Sequence, residues 1–362
     1  MANWLFTTFY GMTLGQWFGL LRRHGYAIDP HYWPQAGFIT LTSGATSIGA
    51  RYENWVYGSK LRDLEIMPPL FILGHWRSGT THLHNLLAAD ERFVYPNLYQ
   101  VTNPQTFLSS ERIFSVLGPL SPKTRLVDSM RFGFETPQEE EFAIANAALL
   151  SPYLGWAFPR DEEYYENYLT LRDVSEEEIE QWKAALVLFL KKLTWKYNRP
   201  IVLKSPAHTC RIRLLLKLFP DARFVHIHRD PYTVFQSTRR LYELMYRATR
   251  LQHSTMRGVN RRIIRRYKTM YDVFFDERDL IPDKQLHELS FHELVRHPME
   301  EMSNVYEALS LPGFAEAQPA FQCYLDSTAG YCPHEYPELP SGLRREIAQA
   351  WGPSFMRWEY AA

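Results

Sequence analysis

Two groups of residues in this 362-residue chain have types and spacing suited to binding chemistry, and a third is suited to moving protons. The first is Gly74-His-Trp-Arg-Ser-Gly-Thr-Thr81, a short loop bracketed by glycines that runs into two hydroxyl side chains. Glycines let backbone N–H groups converge, and a helix start behind them adds partial positive charge, so such a loop cradles a phosphate-like anion. Arg77 puts a full positive charge inside it. The second group is Arg229 with Ser237, eight residues apart, a guanidinium and a hydroxyl able to close on one phosphate from two sides. Alone, Arg229 reads equally well as a strand-end cation paired with a carboxylate. The third is the run Glu139-Glu140-Glu141, whose bland reading is compensation of a helix dipole.

These residues need elements to hold them. Leu70 to Leu73, bounded by Pro68-Pro69 and Gly74, reads as a buried strand, and Leu83, Leu86 and Leu87 mark one face of the helix after the loop. Further strands are expected at 92–95, 201–204, 223–228 and 285–290. Between them, Pro137 opens a helix with Thr136 as N-cap and the three glutamates in its first turn. Ser175 and Glu178 form a capping box for a helix to about Lys196. Ser205-Pro206 and Asp230-Pro231 start two more helices, Phe291 to Leu311 is a helix interrupted near Pro298, and a last helix runs near 343–358. This alternation predicts an α/β fold: a P-loop-like central parallel β-sheet flanked by helices, with an aromatic-rich N-terminal helical extension. The expected division is an extension over 1–66 and one domain over 67–362. Open α/β sheets bind ligands at the carboxyl ends of their strands. Since the loop and Arg229 both leave such ends, two phosphate sites on one nucleotide explain them better than an ion pair does.

A Walker A loop would have Lys, then Ser or Thr, after Gly79; Thr80 stands in the place of that Lys, and the cation sits earlier at Arg77. The β,γ-phosphates of ATP are therefore a poor match. On these motifs the chain resembles the sulfotransferases that use 3′-phosphoadenosine 5′-phosphosulfate (PAPS), in a bacterial branch nearer the tyrosyl-protein type than the cytosolic type. Gly74, His75, Trp76, Arg77, Ser78, Gly79, Thr80 and Thr81 resemble the family's 5′-phosphosulfate loop, and Arg229 with Ser237 its 3′-phosphate site. Leu203-Lys-Ser-Pro-Ala-His208 and Leu289-Ser-Phe-His-Glu-Leu294 resemble the same branch. The likeness covers about residues 68 to 355; the first 60 residues carry no part of it.

The resemblance implies in-line transfer of a sulfuryl group from PAPS to an acceptor hydroxyl or amine, with PAP as product, no covalent intermediate and no metal required. Arg77, Thr80, Thr81 and the loop amides would stabilise charge on the leaving 5′-phosphate. Lys204 matches the family lysine near the bridging oxygen. The base is less determined. The tyrosyl-protein branch has an acid where Asn97-Leu98-Tyr99 stands, and cytosolic members have a His where Pro206 stands. Glu139, Glu140, Glu141 and His208 remain as candidates, with Glu140 favoured. His334 and Tyr336 are candidates for covering the nucleotide.

Composition narrows the rest. Forty basic and forty acidic residues cancel, so no nucleic-acid partner is expected. Three scattered cysteines suit reduced thiols in the cytoplasm. Residues 3–21 carry no charge and many aromatics, which favours a helix lying on the cytoplasmic membrane face over one packed on the protein's own core, and both over a span. Residues 32–58, rich in aromatics, Gly, Thr and Ser, would be a docking surface or a substrate wall. The basic stretch from Arg239 to Lys268 suits either a solvated face drawing in a polyanionic nucleotide or an anionic-membrane contact. The reading is a sulfotransferase with a small-molecule or lipid-like acceptor and possible peripheral membrane contact. The alternatives are a P-loop kinase or phosphotransferase, and a non-catalytic membrane adaptor with a relict nucleotide site.

Overall fold

The apolar run Leu70–Leu73 (β1) is the inner strand of a parallel sheet in the computed structural model, which describes residues 9–115, 135–330 and 336–362. Val202–Lys204 (β2) pairs with it on one side and Arg223–His228 (β3) on the other; Leu286–Ser290 (β4) pairs with β3. The order is β2-β1-β3-β4, all parallel. Every residue of β1 and β2 is buried, as expected of parallel strands covered on both faces. On one face Leu70, Ile72, Val202, Val225 and Ile227 pack against Leu83, Leu86 and Leu87 of the helix Thr80–Ala89. On the other, Phe71 stacks on Phe224 with ring centroids 5.6 Å apart. The register places Leu73 beside His226, so β1 and β3 release their following loops at the same edge.

This sheet belongs to one of two compact units, formed by Pro68–Tyr95, Arg199–Arg240 and Arg257–Ala362; the other comprises Met1–Met67, Pro96–Asn198 and Leu241–Met256. Several expected elements of the sheet unit are trimmed by local chemistry. The strand expected at 92–95 is one bridge, Val94 to Ile201. Asp90 explains why: its carboxylate holds the Arg92 guanidinium at 2.7 Å and accepts from the Tyr306 hydroxyl, which keeps the chain before Val94 in a turn. The last helix is split into Ser341–Ala350 and Gly352–Arg357 at Trp351, whose ring stacks on Tyr267 at 3.8 Å. The helix after Ser205-Pro206 is a 3₁₀ turn, Pro206–Cys210, followed by Ile212–Leu218.

The second unit is mostly helical. Thr13 and Gln16 form a capping box for Leu14–Arg23 (α1). Of residues 3–21, expected to lie on a membrane, 3–8 fall outside the described residues. Phe9, Met12, Trp17 and Leu20 turn inward and pack with Ile39, Leu154, Phe158 and Leu251 of the same unit. The end of α1 is pinned by His24, which stacks on Phe158 at 3.9 Å and shares hydrogen bonds with Asp161 at 2.6 Å and Tyr165 at 2.7 Å. Among the described residues, no helix is long and apolar enough to cross a membrane.

Residues 33–58 lie in one 30-residue helix, Trp33–Arg62 (α2). Its Gly, Ser and Thr content gives weak helix propensity, yet Thr40, Thr42 and Ser47 return their hydroxyls to carbonyls at Ala36, Phe38 and Ser43. At its centre Glu53, buried, receives Lys192 Nζ at 2.7 Å and both the N–H and hydroxyl of Ser109. Lys192 comes from the helix Glu176–Tyr197, whose expected capping box at Ser175 and Glu178 is present. Burial lowers the Lys192 pKa, and the Glu53 carboxylate opposes that shift. Removing one partner leaves the other charged and buried, so Lys192→Met should cost about 3–5 kcal/mol in urea denaturation. The double variant with Glu53→Gln should recover much of that loss.

Candidate active site

The loop that leaves β1 is shaped by two backbone positions where a side chain does not fit. Gly74 has φ 139°, and a Cβ there would lie 2.5 Å from the Ile227 carbonyl. Gly79 has φ 104°, and a Cβ there would lie 2.1 Å from the Phe291 ring. Between them, His75 turns into the protein. Its N–H donates to the Tyr271 hydroxyl at 3.2 Å, and its Nδ1–H to the Trp76 carbonyl at 2.8 Å. Burial lowers its pKa to about 3, so the ring is neutral at pH 7. Ser78 is also buried and donates its hydroxyl to the His75 carbonyl at 2.8 Å. Trp76 lies under the Arg266 guanidinium, 5.5 Å from its ring centroid. The side chains of His75, Trp76 and Ser78 thus build the loop from inside.

Arg77 is different. Its backbone is left-handed, φ 72°, a strained conformation for a non-glycine residue, and its Nε–H donates to the Ser237 hydroxyl at 2.8 Å. Arg229, just past β3, places its guanidinium 4.4 Å from the Phe291 ring centroid and 3.5 Å from the Arg77 carbonyl. The expected pair Arg229 and Ser237 is therefore joined by Arg77 from the loop. Thr80 and Thr81 are the first two residues of the helix Thr80–Ala89, where N–H groups have no carbonyl one turn earlier. Such an edge, with two guanidiniums, a hydroxyl and a helix start, suits anionic groups.

Lys204, the last residue of β2, is buried and sits beside Ile72 in register, on the sheet face covered by the helix Thr80–Ala89. His208 is buried on the opposite face, its ring edge-on to Phe71 at 5.4 Å. Just beyond Arg229's strand, Trp358 stacks on His228 with centroids 4.8 Å apart, and the Tyr360 hydroxyl meets His228 Nδ1 at 2.8 Å. His334 lies outside the described residues; Tyr336 is half-buried. The basic stretch is not one continuous face: Leu241–Met256 falls in the helical unit, Arg266 is buried over Trp76, and Lys268 pairs with Asp272 at 2.6 Å.

The glutamates belong to the helical unit, and the helix expected to open at Pro137 begins at Glu141 instead, with Glu140 at its N-cap. Pro137 bridges Asn97 and the Gln138 N–H donates to the Pro96 carbonyl at 2.9 Å, which holds this segment extended. Glu140 and Glu141 are fully buried, and Glu139 accepts a hydrogen bond from the Tyr153 hydroxyl. The bridge sets the glutamate segment beside Asn97, the position where the tyrosyl-protein type has its acid. Asn97 also donates to Glu111 at 2.8 Å, and Glu111 pairs with Lys196. Sequence reasoning did not single out Glu111 or Phe291. Neither stands in a local pattern, although Phe291 lies within the 289–294 stretch that carried part of the resemblance.

A profile described as the Sulfotransferase family matches residues 68–316. The chain belongs to the sulfotransferase family. Two curated relatives, each named omega-hydroxy-beta-dihydromenaquinone-9 sulfotransferase Stf3, from Mycobacterium bovis and Mycobacterium tuberculosis, are 34% identical over 359 residues, covering 99% of this chain and 92% of theirs. The fold is that of solved bacterial sulfotransferases. STF9 from Mycobacterium avium aligns with a TM-score of 0.68 at 21% identity over 96% of both chains. STF1 from Mycobacterium tuberculosis aligns at 0.62 and 18% identity over 86% of this chain and 87% of that one. This sulfotransferase thus has the P-loop-like parallel sheet expected of it, with the loop and Arg229 at strand ends.

Two outcomes follow from the packing. Gly79→Ala should destabilise the protein by about 1–3 kcal/mol through overpacking, and Phe291→Leu should relieve part of that loss in a double-mutant cycle read by thermal unfolding. Buried His75 and half-buried His228, both lowered to about 3, and His82, lowered to about 4, are each depressed by loss of solvent. Their unfolded forms bind protons first, so their contribution is complete above pH ~6.5 and is lost as pH falls from there towards 4 and 3. The unfolding midpoint should drop between pH 7.5 and 5, and less so in His75→Asn, which keeps the donor to the Trp76 carbonyl.

Proposed function

We propose that this sulfotransferase moves a sulfuryl group from PAPS to a hydroxyl of a lipid-like acceptor. One observation carries the donor assignment: Arg77 reaches Ser237 beside Arg229, at the adjacent ends of β1 and β3. That edge suits a nucleotide with a 5′ anion on the loop amides, Thr80 and Thr81, and a 3′-phosphate on Arg229 and Ser237. Thr80 in the place of a Walker lysine argues against a triphosphate. PAPS supplies the activated sulfuryl group. The chain's residues orient it, and Arg77 with the helix start stabilises charge on the leaving phosphate as its bond to sulfur breaks. Lys204 acts near that bridging oxygen. The acceptor oxygen forms the new bond to sulfur and gives its proton to a carboxylate, for which Glu140 is our assignment over Glu139, Glu141 and His208. The bridge from Asn97 to Pro137 supports it, because it sets the glutamates beside the place where the resembling branch has its acid. His208 is disfavoured by its position against Phe71.

The acceptor class draws on the relatives, named for a hydroxylated menaquinone derivative and matched along nearly the whole chain. A hydroxyl on such a molecule is met most readily at a membrane surface, and we infer a cytoplasmic enzyme that works there.

Calorimetry with PAP, ADP and ATP, with and without Mg²⁺, tests the donor. Binding should favour PAP over ADP without metal, and Arg229→Ala should remove the preference; equal binding of PAP and ADP would sink the 3′-phosphate assignment, and Mg²⁺-dependent ATP binding would turn the reading to a kinase. For the base, Glu140→Gln should lower turnover about 10²–10⁴-fold with PAP affinity intact. Labelled sulfate should pass from PAPS to hydroxylated isoprenoid quinones rather than to small water-soluble phenols.

A further inference from the structure

Helix α2 turns more polar than apolar side chains inward. It buries Gln35, Ser43, Thr46 and Glu53 beside Ile39 and Leu61, and it exposes Leu41, Ile48 and Trp55, at 77%, 74% and 80%. Those three are spaced seven residues apart, two helical turns each, so they stand in one line about 21 Å long. Ala45 and Tyr52 are exposed between them, and Trp33 is exposed at the start of the helix. This orientation is held in place by chemistry. Glu53 is tied to Lys192 and Ser109, Ser47 accepts from the Leu14 N–H at 2.8 Å, and Thr40 accepts from Trp17 Nε1 at 2.8 Å. Turning the helix to bury Leu41 and Trp55 would tear those partners apart, so the apolar line stays outward.

From this we propose that α2 lies flat on an anionic phospholipid surface, with Leu41, Ile48 and Trp55 entering the boundary between headgroups and acyl chains. Charge decides between a membrane and a second copy of the chain. The exposed charges on α2 are Arg51, Lys60 and Arg62, all basic, and its one acid, Glu53, is buried and paired. Anionic lipid complements that set, whereas an identical helix would offer it no acid. Trp55 at one end of the line, and Trp33 at the start of the helix, are of the type that settles at headgroup depth, and a single apolar stripe on a long helix is the geometry of an interfacial rather than a spanning element. The neighbouring α1 adds exposed Phe18 and Arg22. The inference adds a place to the membrane-surface reading of the preceding subsection, yet its test is separate from the transfer reaction, since vesicle binding and PAP binding can each fail while the other holds.

The test is co-sedimentation of the full chain with vesicles of phosphatidylcholine alone and of phosphatidylcholine with phosphatidylglycerol. The wild type should bind the mixed vesicles and bind the neutral ones weakly. The variant carrying Leu41→Gln, Ile48→Gln and Trp55→Gln changes only exposed positions; it should keep its unfolding midpoint and PAP affinity and lose vesicle partitioning at least about tenfold, since binding scales with buried apolar area. Arg51→Glu with Lys60→Glu should lose the preference for phosphatidylglycerol. A wild type that ignores vesicles, or a triple variant that binds as well as the wild type, overturns the proposal. A wild-type dimer broken by the triple variant, with no vesicle binding, overturns it in favour of a second copy.

Discussion

The ring of Phe291 is the contact on which the loop after β1 and the cation after β3 both depend. It occupies the space a side chain at Gly79 would need, and the same ring carries the Arg229 guanidinium on its face. One aromatic residue at the end of β4 therefore sets both the turn of the loop after β1 and the position of the cation after β3. Arg77 completes the lock by taking a strained backbone that aims its guanidinium at Ser237. Strain of this kind persists only where the surroundings over-determine it. Here they do: Gly74 is pinned to Thr209, His75 to Tyr271, and Ser78 to His75.

The helical unit solves a different problem. A helix of weak intrinsic propensity is stabilised by polar groups that find partners inside the protein, at Glu53 above all. A buried ion pair adds little net stability compared with apolar packing, but it tolerates no other rotation of the helix, since any other leaves a charge unpaired. The apolar side of α2 is outward as a consequence. In α1 the opposite holds, with Trp17 and Leu20 inward among the core residues.

The acidic segment shows how a short-range signal is overridden. Proline followed by three acids is a standard helix opening, yet the chain stays extended through Pro137 because Pro96 and Asn97 offer it hydrogen bonds. That shift of four residues moves Glu140 from the first turn to the cap. The change in chain path, rather than any change in residue type, brings the segment that starts at Pro137 against Asn97.

The strands, the glycine loop, the capping boxes at Ser175 and the cap at Asp230 were legible because each is written in neighbouring residues: apolar runs, turn-forming glycines, and side chains that bond amides three residues on. The resemblance to sulfotransferases was legible for the same reason, since the loop and the pair Arg229 and Ser237 are local patterns. The direction in which a helix faces is not local. Whether Trp17 or Trp55 meets solvent, whether Phe291 lies under Gly79, and whether Pro137 opens a helix depend on partners from distant segments: Ile39, Lys192, Arg229 and Asn97. Sequence alone determined which local motifs mark this chain as a sulfotransferase. Only the tertiary structure decided which side of each helix is turned outward, because the hydrogen bonds and ring contacts that outweigh local propensity are made between residues far apart in the chain.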